Sequence, residues 1–146
     1  MSLLRILIAP DPVLHKKCVE VGDPKSPFIQ GLISNMCATL KNAKGIGLAA
    51  PQVGVNQRVI VINLWKDEYV LINPRLAYSS RDKEIGEEGC LSLPGVYLDI
   101  ERSKKVRVKA LDPEGKKIKI KANGLLARVL QHEIDHLEGI LITDRK

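Results

Sequence analysis

The chain has 146 residues, enough for one hydrophobic core, so we expect one domain over residues 1–146. Its 45% apolar and 27% charged residues describe a globular protein and argue against intrinsic disorder. Aromatics at 3% argue against stacking platforms and direct nucleic-acid readout, while a net charge of +6 fits either attraction to an anionic surface or plain solubility.

The first ten residues, MSLLRILIAP, are apolar but short and interrupted by Arg5. They lack a cleavage-site pattern, and no run reaches the length of a membrane span. Three cysteines, Cys18, Cys37 and Cys90, form an odd set without a secretion signal. Reduced thiols in a cytoplasmic or cytosol-like compartment are therefore expected.

Pro10-Asp11-Pro12 reads as a turn. Ser26-Pro27 reads as an N-cap with proline at the first helical position. Phe28, Leu32, Ile33, Met36, Cys37 and Leu40 then recur at helical spacing to about Lys44, and Gly45 and Gly47 are expected to stop that helix. Residues 58–64 (RVIVINL) predict a buried strand. Residues 69–72 predict another, ended by Asn73-Pro74.

Residues 105–111 alternate, with Val106, Val108 and Ala110 on one face and cations on the other. Asp112-Pro113-Glu114-Gly115 is a turn, and residues 116–122 alternate again. This predicts a hairpin with one wet, basic face. Residues 124–138 predict a second helix with Gly139 as its C′ residue. The order of elements implies α+β, with mostly antiparallel sheet.

His132-Glu133-Ile134-Asp135-His136 lies on this second helix. Two histidines four residues apart project from nearly one face, about 6 Å apart along the axis. Both can reach one metal ion, and Glu133 can aim its carboxylate at a water there. A metal in such a site activates water near neutral pH. Glu133 is then placed to serve as the base that takes a proton from that water.

A catalytic metal usually takes three protein ligands and keeps an open position. Only ten residues follow His136, and position 142 is Ile142, so the third ligand is expected upstream. Cys18, Cys37, Cys90, His15 and the acids are candidates. Cys90 is favoured because Gly89 beside it permits close backbone approach and a thiolate suits a borderline metal.

Gly45-Ile46-Gly47-Leu48-Ala49-Ala50 matches a dinucleotide fingerprint by letters only. A helix precedes it where a strand should, so nucleotide binding is not expected. Extended to Pro51-Gln52, this segment instead resembles the G-x-G-x-A-A-x-Q motif of the peptide deformylases. Glu88-Gly89-Cys90-Leu91-Ser92 resembles that family's E-G-C-[LI]-S, and His132 to His136 its H-E-x-D-H. The three occur in the family's order, and the resemblance spans nearly the whole chain from Asp11-Pro12-Val13-Leu14 onward.

The resemblance implies an α+β fold with mostly antiparallel sheets around the C-terminal motif helix. It implies removal of the formyl group from N-formylmethionine on new polypeptides, with release of formate. Cys90, His132 and His136 would hold one divalent ion, Fe²⁺ natively, with Zn²⁺ or Ni²⁺ as substitutes. The Leu91 backbone N–H and the Gln52 amide would steady the oxyanion. Gly45, Gly47 and Gly89 would admit substrate backbone, and Ile46, Leu125 and Val129 would form the methionine pocket.

Glu88 and Arg102 are candidates for supporting the site from behind, and Asp135 for a structural role. Many bacterial members carry a further long helix, which in some of them contributes to ribosome docking. It is not seen before Lys146, so transient ribosome contact would fall to the basic hairpin. Tyr97 stands where many members have a charged residue, so substrate preference could differ. The alternative to deformylation is another metal-dependent amidase or peptidase activity.

Overall fold

The structure, a computed structural model, describes residues 2–146; Met1 of the expected domain lies outside the described residues. Helix α1 runs over Pro27–Ala43. Five short or medium strands follow: β1 Gly47–Ala49, β2 Val59–Leu64, β3 Asp67–Ser79, β4 Lys83–Cys90 and β5 Leu93–Ser103. Then come β6 Lys105–Leu111, β7 Lys117–Asn123 and helix α2 Gly124–Leu137. Strands β1-β2-β3-β6-β7 form one sheet in that order, and β4-β5 form a separate ribbon. Every ladder between strands is antiparallel. The fold is α+β, as expected.

The Ser26 hydroxyl accepts a hydrogen bond from the Ile29 N–H at 3.2 Å, and Pro27 opens the first turn. This capping fixes where α1 begins. The expected glycine stop is taken one residue early. Lys44 adopts the left-handed conformation at φ 55°, and Gly47 already belongs to β1.

Strand β2 explains its own unbroken apolar run. Ile60, Ile62 and Leu64 pack with Leu130, Ile134 and Leu137 of α2. Val59 and Val61 point to the other face, against Ile29, Leu32, Met36 and Leu40 of α1. A strand covered on both faces needs no polar alternation. Strands β6 and β7 alternate as predicted, and their inner residues Val106, Val108, Ala110 and Ala122 meet α2.

Two expectations need correction. Asn73-Pro74 does not end β3, which continues to Ser79. The pairing with β6 shifts register between Ile72 and Arg75, and Asn73 takes φ 52°. A bulge accommodates the proline, which has no N–H to give a ladder. The Asn73 side chain accepts from the Val21 N–H at 2.8 Å and donates to the Val21 carbonyl at 3.0 Å. Strands β4 and β5 were not anticipated at all. They present few buried residues, so they carry little apolar alternation. Among the described residues, no helix is long and apolar enough to cross a membrane.

Candidate active site

Helix α2 presents His132, Glu133 and His136 toward the end of the β4–β5 ribbon. One helical turn separates the imidazoles, whose centroids lie 5.0 Å apart at an interplanar angle of 69°. Cys90 closes β4, and its Sγ stands 3.4 Å from His136 Nε2. Ligand atoms from Cys90, His132 and His136 all lie within 4.8 Å of one another. Of the candidate third ligands, Cys18 and Cys37 are free thiols elsewhere, Cys18 in the α2-side core and Cys37 packed against the α1-side core. Burial pushes both thiols up to about 11, so they are poor thiolates.

This donor set fits a divalent ion. One thiolate and two imidazoles leave room for a fourth, exchangeable position on a borderline metal. His132 Nδ1 donates to Glu88 Oε1 at 2.8 Å, which turns Nε2 toward the centre. Glu133 Oε1 and His136 Nδ1 are buried without a hydrogen-bond partner. A buried carboxylate oxygen such as Glu133 Oε1 is costly unless something polar or charged joins it, whereas His136 Nδ1 lies on the ring edge away from the Nε2 that faces Cys90.

The site's electrostatics point the same way. Burial pushes Glu133 up to about 7, against the pull of His132. A carboxylate poised there suits proton transfer near neutral pH. Burial also opposes charge on His132, but Cys90, Glu133 and Glu88 outweigh it and raise the imidazole to about 10. Burial and the neighbouring His132 push His136 well below its ordinary value. A bound cation would take over the role of the His132 proton, since both ligands must then be neutral.

Glu88 is the hub behind the ligands. Arg102 donates to both of its oxygens at 2.9 Å, and Arg128 donates to Oε2 at 2.7 Å. Burial works against the carboxylate, yet the Arg102 guanidinium and His132 hold it well below the usual range. Arg102 also donates to Asp135, which accepts from Arg145 as well. Glu88 and Arg102 are thus buried, not surface charges.

Arg128 was missed by sequence reasoning. It also donates to the carbonyls of Ile100 at 2.8 Å and Glu84 at 2.9 Å. Its position one turn before His132, on the inward stripe, was the available signal. Gly86 is bound to it. A Cβ there would lie 2.9 Å from Arg128 Cζ.

A groove of about 600 Å³ opens beside the ligands. Gly45, Ile46, Gly47, Gly89, Leu91, Leu125 and Val129 all line it, as do Gln52 and Tyr97. The glycines are pressed by protein atoms. A Cβ on Gly47 would stand 2.4 Å from Glu133 Oε2, one on Gly89 2.8 Å from the Tyr97 ring, and one on Gly45 3.0 Å from Leu40 and Leu91. Gln52 is buried. Its amide donates to Ser92 Oγ at 3.1 Å and lies 3.6 Å from Cys90 Sγ, while its Oε1 accepts from the Ala49 N–H at 2.9 Å.

Comparison with known proteins agrees with this geometry. The family model for polypeptide deformylase matches residues 3–146. A peptide deformylase from Thermodesulfovibrio yellowstonii is 50% identical, over 99% of this chain and 90% of the relative. One from Natranaerobius thermophilus is 47% identical, over 99% of this chain and 93% of the relative. The crystal structure of peptide deformylase from Thermotoga maritima superposes with a TM-score of 0.96 at 39% identity, covering 99% of this chain and 98% of that one. A peptide deformylase from Synechococcus elongatus in complex with actinonin gives 0.95 at 44% identity, covering 99% and 79%. The matched residues contain the Cys90, His132 and His136 cluster, and the chain belongs to the polypeptide deformylase family.

Proposed function

We propose that residues 1–146 act as one catalytic domain that hydrolyses the formyl group from N-terminal formylmethionine of newly made polypeptides, releasing formate. The observation that carries this reading is the convergence of Cys90, His132 and His136 beside the buried carboxylate of Glu133. Cys90, His132 and His136 would hold the ion, which would supply Lewis acidity and lower the pKa of a water toward neutrality. Fe²⁺ is the native ion on family resemblance, and Zn²⁺ or Ni²⁺ suit the same donors.

The chain's own residues do the rest. Glu133 accepts the proton of the attacking water and delivers it to the leaving amine nitrogen. The Gln52 amide and the Leu91 backbone N–H donate to the formyl oxygen as charge develops on it. Ile46, Leu125 and Val129 receive the methionine side chain, and the groove along Gly45, Gly47 and Gly89 holds the following backbone. Glu88 keeps His132 in one tautomer, so its Nε2 stays free to ligate. Three free thiols suit a reducing, cytosol-like compartment.

Anaerobic purification, metal analysis and a formate-release assay on formyl-Met-Ala-Ser test this. One equivalent of metal, formate from the formyl peptide and no product from the N-acetyl analogue are expected. Turnover of acetylated or unmodified peptides without turnover of the formyl peptide would assign a different amidase.

A further inference from the structure

The methionine pocket has a charge in its wall. Leu125, Arg128, Val129 and His132 share one stripe of α2, and all four line the groove. Arg128 lies one helical turn, about 6 Å along the axis, from the His132 imidazole, and Leu125 lies a turn further on. A methionine side chain reaching from the metal site to Leu125 therefore passes the guanidinium. Arg128 is buried. A buried guanidinium beside an apolar pocket carries a desolvation cost that leucine or isoleucine would avoid.

Stapling the β4–β5 ribbon to α2 explains only part of this side chain. A guanidinium holds five N–H donors in a planar fork. Nη1 donates to Glu88 Oε2 at 2.7 Å and to the Ile100 carbonyl at 2.8 Å, and lies 3.5 Å from the Gly86 carbonyl. Nη2 donates once, to the Glu84 carbonyl at 2.9 Å. Nε and the second hydrogen of Nη2 find no acceptor among the described residues. Nε is nevertheless not among the sealed, unpartnered atoms of the fold, so an opening reaches it. A Cβ on Gly86 would stand 2.9 Å from Cζ, 3.0 Å from Nε and 3.1 Å from Nη2. These near-equal distances set the ribbon against the flat face of the guanidinium. Its Nε edge stays clear of Gly86, and the groove is the cavity that Arg128 lines.

We propose that these free donors extend the enzyme's substrates to formylated polypeptides whose first residue is methionine sulfoxide. The proposal rests on the deformylase reading above. Oxidation turns the weakly accepting thioether into a polar S=O group with a strong acceptor oxygen. That oxygen accepts from Nε and Nη2 of Arg128. The reaction is unchanged. Water adds to the formyl carbon, the C–N bond breaks, formate leaves, and the sulfoxide passes through neither oxidised nor reduced. A purely aliphatic pocket discriminates against one added polar atom by roughly 10²-fold, and Arg128 removes most of that penalty. The sulfoxide is chiral at sulfur, so donors on one side of the pocket favour one epimer.

The test uses the metal-loaded full chain and formate release from formyl-Met-Ala-Ser, its norleucine analogue and the two separated sulfoxide epimers. The better epimer is expected to keep kcat/KM within about tenfold of the methionine peptide, against a loss of roughly 10²-fold in an apolar pocket. Arg128→Met is expected to lower the sulfoxide-to-methionine ratio by at least about tenfold and to leave the norleucine-to-methionine ratio within about twofold. Each ratio is taken within one protein, so a change in metal content or stability from the lost Glu88 contact cancels. Nitrogen NMR of the Arg128 side chain gives a reading independent of turnover. Its Nε–H signal is expected to shift with the N-acetyl sulfoxide peptide and to stay in place with the N-acetyl norleucine peptide. Both epimers more than roughly 10²-fold below methionine in wild type, an unchanged ratio in Arg128→Met, or an Nε–H signal that answers both analogues alike would overturn the proposal. No formate from any peptide would instead sink the deformylase reading and leave the NMR comparison to decide this one.

Discussion

Replacing Glu88 with Gln removes one buried negative charge while keeping the side chain's shape. In the wild type its oxygens accept from Arg102 twice, from Arg128 and from His132. Breaking a buried ion pair costs about 3–5 kcal/mol, because the partner charge stays buried. Arg102 keeps Asp135, and Arg128 keeps the Ile100 and Glu84 carbonyls, so the lower end of that range applies. At about 2–4 °C per kcal/mol, Tm falls by roughly 6–12 °C. Loss of the charged partner on His132 also weakens metal affinity by about 10–100-fold. Urea titration of chelator-treated protein isolates the first effect, and competition with a metal chelator measures the second. The pH dependence carries a sign. Glu88 is held below its unfolded pKa of about 4.3, so its contribution is present above that value and is lost as pH falls toward the folded one. The stability gap between wild type and E88Q therefore narrows below about pH 4, and in chelator-treated protein it also narrows above about pH 6.5, because Glu88 helps to hold the His132 proton in the fold. A gap under about 1 kcal/mol at neutral pH, with metal affinity unchanged, would refute the assignment of Glu88 as the hub.

Three further variants probe the ligands and the base. Glu133→Ala is expected to keep the metal and the fold while kcat falls by about 10²–10⁴-fold; a wild-type rate of formate release would remove Glu133 from proton transfer. Cys90→Ser is expected to lose its ion on dialysis, as a hydroxyl replaces the thiolate, and one equivalent of metal after dialysis would exclude Cys90 as a ligand. Gly47→Ala places a methyl where Glu133 Oε2 now lies, 2.4 Å away. The carboxylate must move, and kcat is expected to drop by about 10²-fold with metal content unchanged. An unaltered kcat would show that Glu133 has freedom to act from elsewhere.

Legibility in the sequence followed how local each interaction is. Helix α1 was readable because its cap, its proline and its apolar stripe lie within eighteen consecutive residues. The β6–β7 hairpin was readable because one face is buried and the other wet. Strand β3 looked shorter than it is because Asn73-Pro74 usually interrupts a ladder, and only the contacts to Val21, far away in sequence, show how the bulge is held. The β4–β5 ribbon was invisible because a two-stranded element with few buried positions has no apolar period to detect.

The same ribbon explains why helical spacing alone delivered only part of the site, and Cys90 had to be found by its own motif. His132, Glu133 and His136 are set by the period of one helix, so their convergence follows from spacing alone. Cys90 is brought to them only by the ribbon, forty-two residues before His132 in the sequence. Helix α2 buries Arg128, Gln131, Glu133 and His136 on faces that an ordinary core helix would fill with aliphatic side chains. Isolated, these groups would carry a heavy desolvation cost. The ribbon offsets it with Glu88 near the end of β4 and Arg102 near the end of β5; their backbones pair with Leu98 and Glu84 and not with each other, and the long Arg102 side chain reaches along the ribbon to Glu88. Gly86 and Gly89 open the space for the Arg128 and Tyr97 side chains. A ribbon with so little apolar surface contributes little core of its own. Its place in the fold is to bring Cys90 and Glu88 to the His132–His136 face of α2, and that makes β4 and β5 part of the candidate site.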